Sequence, residues 1–164
     1  CVAGSPARPF RWFAGVASSL PIPAASRTGT ANAVNEAGTA VGTWEVNQYT
    51  GSFAACIWDN GQRSDLPCLG GSLAYAVAAD INNAGQVVGT SNSAAGFTGF
   101  LYQNGHMYNL RDLLVSALPI TSANAINDRG QIAAVALIGG RETAVLLTPM
   151  SQRLQTLVGI AAPR

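Results

Sequence analysis

Ala33-Val34-Asn35-Glu36-Ala37-Gly38-Thr39-Ala40-Val41-Gly42 places an N-x-x-G step between two short apolar runs. In such a step the Asn carboxamide can bond the backbone just ahead of it and start a type I turn. The Gly three residues on takes the left-handed conformation that other residues avoid. The stretch therefore reads as two strands joined by a tight turn. It recurs as Asp80-Ile81-Asn82-Asn83-Ala84-Gly85-Gln86-Val87-Val88-Gly89 and as Ala125-Ile126-Asn127-Asp128-Arg129-Gly130-Gln131-Ile132-Ala133-Ala134. The shared glycines, Gly38, Gly85 and Gly130, fall 47 and 45 residues apart.

A second pattern fills the gaps. Phe10-Arg11-Trp12 is followed by Gly15 and Leu20, Cys56-Ile57-Trp58 by Gly61 and Leu66, and Phe100-Leu101-Tyr102 by Gly105 and Leu110. Val145-Leu146-Leu147 stands where a fourth copy is due, with Thr148-Pro149 in place of the turn. Trp12, Trp58, Tyr102 and Leu147 are 46, 44 and 45 residues apart, so two interleaved motifs share one period. Asn60-Gly61 and Asn104-Gly105 are strong signals for type I′ hairpin turns. Helical periodicity is confined to the stretch from Asp112 to Leu118.

Two hairpins per period give an all-β chain of three to three-and-a-half four-stranded units, each about 45 residues long. Three N-x-x-G hairpins are fewer than the blades of an ordinary propeller. The expected arrangement is therefore pseudo-threefold and β-prism-like or propeller-like, with a β-trefoil as the alternative. Residues 1–164 form one domain: a half unit at 8–30, units at 31–77 and 78–123, an incomplete unit at 124–149, and a tail at 150–164. The small residues Gly42, Gly89 and Ala134 are expected to face a crowded axis. Asn35, Gly38, Asn82, Gly85, Asn127 and Gly130 are expected to be structural turn residues.

The A-[IV]-N-x-x-G-x-[VI]-V-G block, followed by an apolar-aromatic arm and an N-G turn, resembles the bacterial extracellular repeats called HAF. The resemblance covers residues 8–149. The His of the tripeptide that names those repeats is missing from every copy, which read Arg8-Pro9-Phe10, Ala54-Ala55-Cys56, Thr98-Gly99-Phe100 and Thr143-Ala144-Val145. The resemblance carries no activity. It implies export to the envelope, the outer surface or the medium of a bacterium.

Composition excludes several functions. Charged residues are only 10% of the chain, the net charge is +1, and all nine basic residues are arginines scattered singly. A phosphate-tracking surface needs clustered cations, so no nucleic-acid partner is expected. No apolar run is long enough for a transmembrane segment. The chain begins at Cys1 with neither an initiator Met nor a basic region ahead of an apolar core, as a processed or excised chain would. Cys1 stands where a mature bacterial lipoprotein carries a lipid anchor; an excised segment would begin the same way. Cys56 and Cys68 lie 12 residues apart, on the two arms of one expected hairpin, and are the candidate disulfide.

No motif points to catalysis, a metal or another cofactor. His106, the single histidine, follows the Asn104-Gly105 turn, and no G-x-S-x-G elbow accompanies it. The Asp80-to-Gly85 loop resembles a calcium loop but puts Ala84 where an oxygen is needed. The expected function is a non-enzymatic secreted or surface-exposed envelope protein that contacts a host or neighbouring-cell protein, and hence an antigen. The alternative is a carbohydrate-binding module. Trp12, Trp58 and Tyr102 could stack on sugar faces or fill the core. Trp44, Tyr49 and Phe53 are placed in a longer loop with Thr50-Gly51-Ser52, the best candidate contact surface. Exposure of the three periodic rings discriminates between the readings: open rings favour a glycan, buried rings a protein partner.

Overall fold

A computed structural model describes residues 7–13, 15–47, 49–70, 75–150 and 154–157. The chain is all-β. Among the described residues, strands form one two-stranded and three four-stranded antiparallel sheets, each a meander in chain order. The pair is β1 (Phe10–Phe13) and β2 (Val16–Ser19). The first four-stranded sheet holds β3 (Gly29–Val34), β4 (Ala40–Asn47), β5 (Ser52–Asp59) and β6 (Gln62–Asp65). The second holds β7 (Ala76–Ile81), β8 (Val87–Ser93), β9 (Gly96–Gln103) and β10 (His106–Asn109). The third holds β11 (Ile120–Ile126), β12 (Ile132–Ile138), β13 (Arg141–Pro149) and β14 (Leu154–Leu157).

The turns follow the sequence signals. Gly38, Gly85 and Gly130 have φ of +81°, +75° and +71°. Their N–H groups donate to the carbonyls of Asn35, Asn82 and Asn127 at 3.0, 3.0 and 2.9 Å. Asn60-Gly61 and Asn104-Gly105 have positive φ at both positions, the type I′ geometry that matches strand twist.

Gly42 and Gly89 are crowded by their own sheets. The strand beside each carries a bulge, with register slips at Ala31/Ala33 opposite Gly42 and at Ala78/Asp80 opposite Gly89. A Cβ on Gly42 would strike the Thr30 carbonyl; on Gly89 it would strike the Val77 carbonyl and come within 2.8 Å of the Phe100 ring. In the third sheet Ala134 sits opposite a similar slip at Ala123/Ala125 and is buried. The small residues thus answer to a bulged neighbour within their own sheet.

Two boundaries differ from expectation. The helix, α1, is one turn at Leu110–Leu113 rather than Asp112 to Leu118. The Asn109 side chain caps it by accepting the Arg111 N–H at 3.0 Å, and Pro119 disfavours helical backbone just before it. The sequence pattern predicts that the third unit ends at Pro149, with 150–164 as a tail. β14 lies in that tail and pairs with β13 from Leu146↔Leu157 to Pro149↔Leu154, so the third sheet also has four strands.

The core is divided between sheets. Leu20 and Ile22 pack with Ala40, Cys56 and Trp58 on one face of the first sheet. Val41 and Ala55 on its other face meet Val87 and Phe100 of the second sheet. Val88 and Leu101 meet Ile132, Val145 and Leu147 of the third. Neighbours such as Val87 and Val88 belong to different clusters because successive strand residues point to opposite faces. Buried on both sides, β8 opens with a continuous Val87-Val88-Gly89 run rather than alternating with polar residues.

Candidate interaction surface

The N-x-x-G turns form a polar ladder from sheet to sheet. Each Asn first serves its own turn: Asn35, Asn82 and Asn127 Oδ1 accept the N–H groups of Thr39, Gln86 and Gln131 at 3.0, 2.9 and 3.0 Å. The amide hydrogens then reach onward. Asn35 Nδ2 donates to the Asn82 carbonyl at 3.3 Å, and Asn82 Nδ2 to the Asn127 carbonyl at 3.1 Å. Beside this line Glu36 N–H donates to Asn83 Oδ1 at 2.9 Å, and Asn83 N–H to Asp128 Oδ1 at 2.8 Å.

Asp80, at the head of the loop that resembles a calcium loop, is part of the same scaffold. Its two oxygens accept the Ile81 and Ile126 N–H groups at 2.9 and 2.8 Å. Among the described residues no group of three or more His, Cys, Asp or Glu could hold a metal. His106 is exposed at the start of β10, its ring centroid 6.3 Å from that of Tyr108.

The six candidate contact aromatics are not brought together. Trp58 is 1% exposed, and its indole N–H donates to the Pro21 carbonyl at 2.7 Å. Tyr102 is half-buried against the core between the first two sheets. Trp12, one period before Trp58, is 67% exposed. Trp44 and Phe53 lie in β4 and β5 rather than in a loop. Trp44 donates its indole N–H to Asp65 at 2.9 Å, and the Arg63 guanidinium covers its ring at 4.8 Å. Arg63 in turn pairs with Asp65 at 2.8 Å. Tyr49 is 89% exposed in the short β4–β5 turn, beside a cleft with Arg27 and Glu45.

A further aromatic group escaped the sequence reading. Phe53, Tyr75 and Phe97 form an edge-to-face run, with ring centroids 5.9 and 5.1 Å apart, that crosses from the first sheet to the second. The signal was available: Phe53 and Phe97 are separated by the same 44 residues as Trp58 and Tyr102.

The expected pairing of Cys56 with Cys68 is not made. Both are free thiols, Cys56 buried and Cys68 exposed. The residue opposite Cys56 across the hairpin is Asp65, and Cys68 lies beyond the end of β6. Burial, with help from the Asp65 carboxylate and against Arg63, pushes the Cys56 thiol up to about 12. Cys1 lies outside the described residues. Among the described residues no helix is long and apolar enough to cross a membrane. No family model, curated protein or solved structure matches the chain.

Proposed function

We propose that the chain is a non-enzymatic interaction module of a bacterial envelope or secreted protein. Its sheets are successive copies of one unit of about 45 residues, arranged in propeller-like order. The observation that carries this reading is the ladder. The polar side chains of the three N-x-x-G turns hold one sheet to the next at a step of 47 or 45 residues, which makes them scaffold. Recognition is left to exposed rings such as Tyr49 and Phe97. The resemblance to HAF repeats supports export, and exposed aromatic side chains suit a protein partner.

The carbohydrate reading is weakened by the burial of Trp58 and the half-burial of Tyr102, which leave no periodic series of open rings. A glycan array probed with the purified chain tests it. The array is expected to stay silent, and a signal lost in Tyr49→Ala would replace the proposal with a lectin. Location is tested with an antibody to the folded chain on intact bacteria, because the chain has no lysine for amine-directed labels. Staining only after permeabilisation would refute it.

A further inference from the structure

β1 and β2 reproduce the outer half of the larger sheets in register. Phe10↔Ser19 and Trp12↔Ala17 match Cys56↔Asp65 and Trp58↔Arg63 in the first sheet. They also match Phe100↔Asn109 and Tyr102↔Met107 in the second. The difference lies on the other edge. β5 pairs there with β4, and β9 with β8, whereas β1 belongs to a sheet of two strands and leaves that edge unpaired among the described residues.

The side chains record the same gap. Phe10 is 67% exposed, while Phe100, at the corresponding place in β9, is fully buried. Val34 is exposed, while Ile81 and Ile126, one step along, are buried. A groove of about 660 Å³ runs between Phe10 and Trp12 on one wall and Val34, Asn35 and Gly38 on the other. The polar ladder stops here too. The carbonyls of Asn82 and Asn127 each receive an Nδ2 from the preceding Asn, whereas that of Asn35 receives, among the described residues, only the N–H of Gly38 from its own turn. An unpaired edge flanked by open rings is what folded proteins normally cover, and strand addition covers it with backbone hydrogen bonds.

We infer that this groove is a docking site for a two-stranded β-hairpin of the N-x-x-G type. One strand of the incoming hairpin adds to β1 and covers Phe10 and Trp12. Its turn Asn donates Nδ2 to the Asn35 carbonyl, and the N–H of the next residue donates to the Glu36 carboxylate. Both bonds repeat those that Asn35 and Glu36 themselves make to the second sheet. The inference rests on the repeated-unit reading of the sheets but not on the location proposed for the protein. An antibody result can therefore fail without touching it.

The test uses the whole chain, labelled at its three tryptophans with 5-fluorotryptophan. The probe is a synthetic peptide with the sequence of residues 76–93, which spans one complete N-x-x-G hairpin. Trp12→Phe assigns the Trp12 fluorine resonance. Excess peptide is expected to move that resonance alone and shield it from a soluble paramagnetic quencher. Alanine at the peptide's turn Asn and valine at its turn Gly should weaken binding about tenfold or more. As a second measurement, the same hairpin fused ahead of residue 7 through a flexible linker should raise the melting temperature, and Trp12→Ala should abolish the gain. A Trp12 resonance unmoved by peptide, with no gain in the fusion, overturns the inference. Equal binding of the altered peptide overturns it as well. A shift that follows chain concentration without peptide would assign the groove to a second copy instead.

Discussion

Replacing each ladder asparagine by Ala should destabilise the protein in the order Asn82, then Asn35, then Asn127. Asn82 is 4% exposed, Asn35 is half-buried and Asn127 is exposed. Asn82 Oδ1 accepts from Gln86 and Ala84, while Nδ2 donates to Gln86 Oε1 and to the Asn127 carbonyl. A typical net hydrogen bond is worth about 1 kcal/mol, and a buried group left without a partner costs about 1–3 kcal/mol. Asn82→Ala strands several groups away from water, so a loss of about 3 kcal/mol is expected. Asn127→Ala frees groups that water can reach, and should cost about 1 kcal/mol. For a chain of this size those losses lower the melting temperature by roughly 6–12 °C and 2–4 °C. Thermal melts followed by circular dichroism, backed by urea titrations, read the difference. Equal shifts for Asn82 and Asn127 would refute the reasoning, because burial would then not be setting the worth of the ladder.

Four other outcomes are expected. Trp58→Ala should cost about 3–5 kcal/mol and Trp12→Ala less than about 1, measured by urea unfolding, although both rings stand at the same place in the sequence period. Gly89→Ala should prevent folding or cost several kcal/mol, because its Cβ meets a strand carbonyl and an aromatic ring. Gly61→Ala, with φ of +78° and open space, should cost only about 1 kcal/mol by the same titration. In a Cys1→Ser background, an aromatic disulfide reagent should modify Cys68 at once and Cys56 only on unfolding. Because burial first, then Asp65, raise the Cys56 thiol from 9.0 to about 12, the folded state keeps a proton that the unfolded chain releases. Stability is therefore complete below pH 9.0 and falls towards about 12, by up to about 1.4 kcal/mol per pH unit. Cys56→Val should remove that slope in pH-dependent urea melts.

The turns were legible in the sequence because their chemistry is local. Asn at the start and Gly three residues on specify the N-x-x-G turn, and Asn-Gly specifies the type I′ turn, whatever surrounds them. Boundaries set by distant pairing were harder to read. β14 carries no turn signal linking it to β13, since Thr148-Pro149 breaks the pattern, and only pairing with Leu146 to Pro149 makes it a strand. Trp44 and Phe53 read as loop residues because Asn47, Thr50 and Gly51 suggest a wide turn. In the structure cross-strand pairs extend the ladder to Asn47↔Ser52 and shorten the turn to a few residues.

Exposure of the periodic rings was the least legible feature, for a physical reason. Trp12 and Trp58 share the same apolar flank, the same distance to a following glycine and the same hairpin register. Their difference is made by the strand alongside and by the segment that packs over the ring. β4 lies next to β5 and fixes the register of Trp58 through Ala40↔Trp58, and Leu20, Ile22 and the Pro21 carbonyl close over the indole. No described strand does the same for β1. A full burial of a large side chain is worth about 1.5–3 kcal/mol, so covering Phe10 and Trp12 together is a substantial driving force for whatever completes that sheet. The composition of the completing segment is constrained as well. It must bring an apolar face to Phe10 and Trp12, pair its backbone with β1, and present a carboxamide to the Asn35 carbonyl beside the bond from Gly38. The chain's own N-x-x-G hairpins of the first two sheets meet all three kinds of requirement, since each pairs with the strand beside it and hands its Asn carboxamide to the next turn.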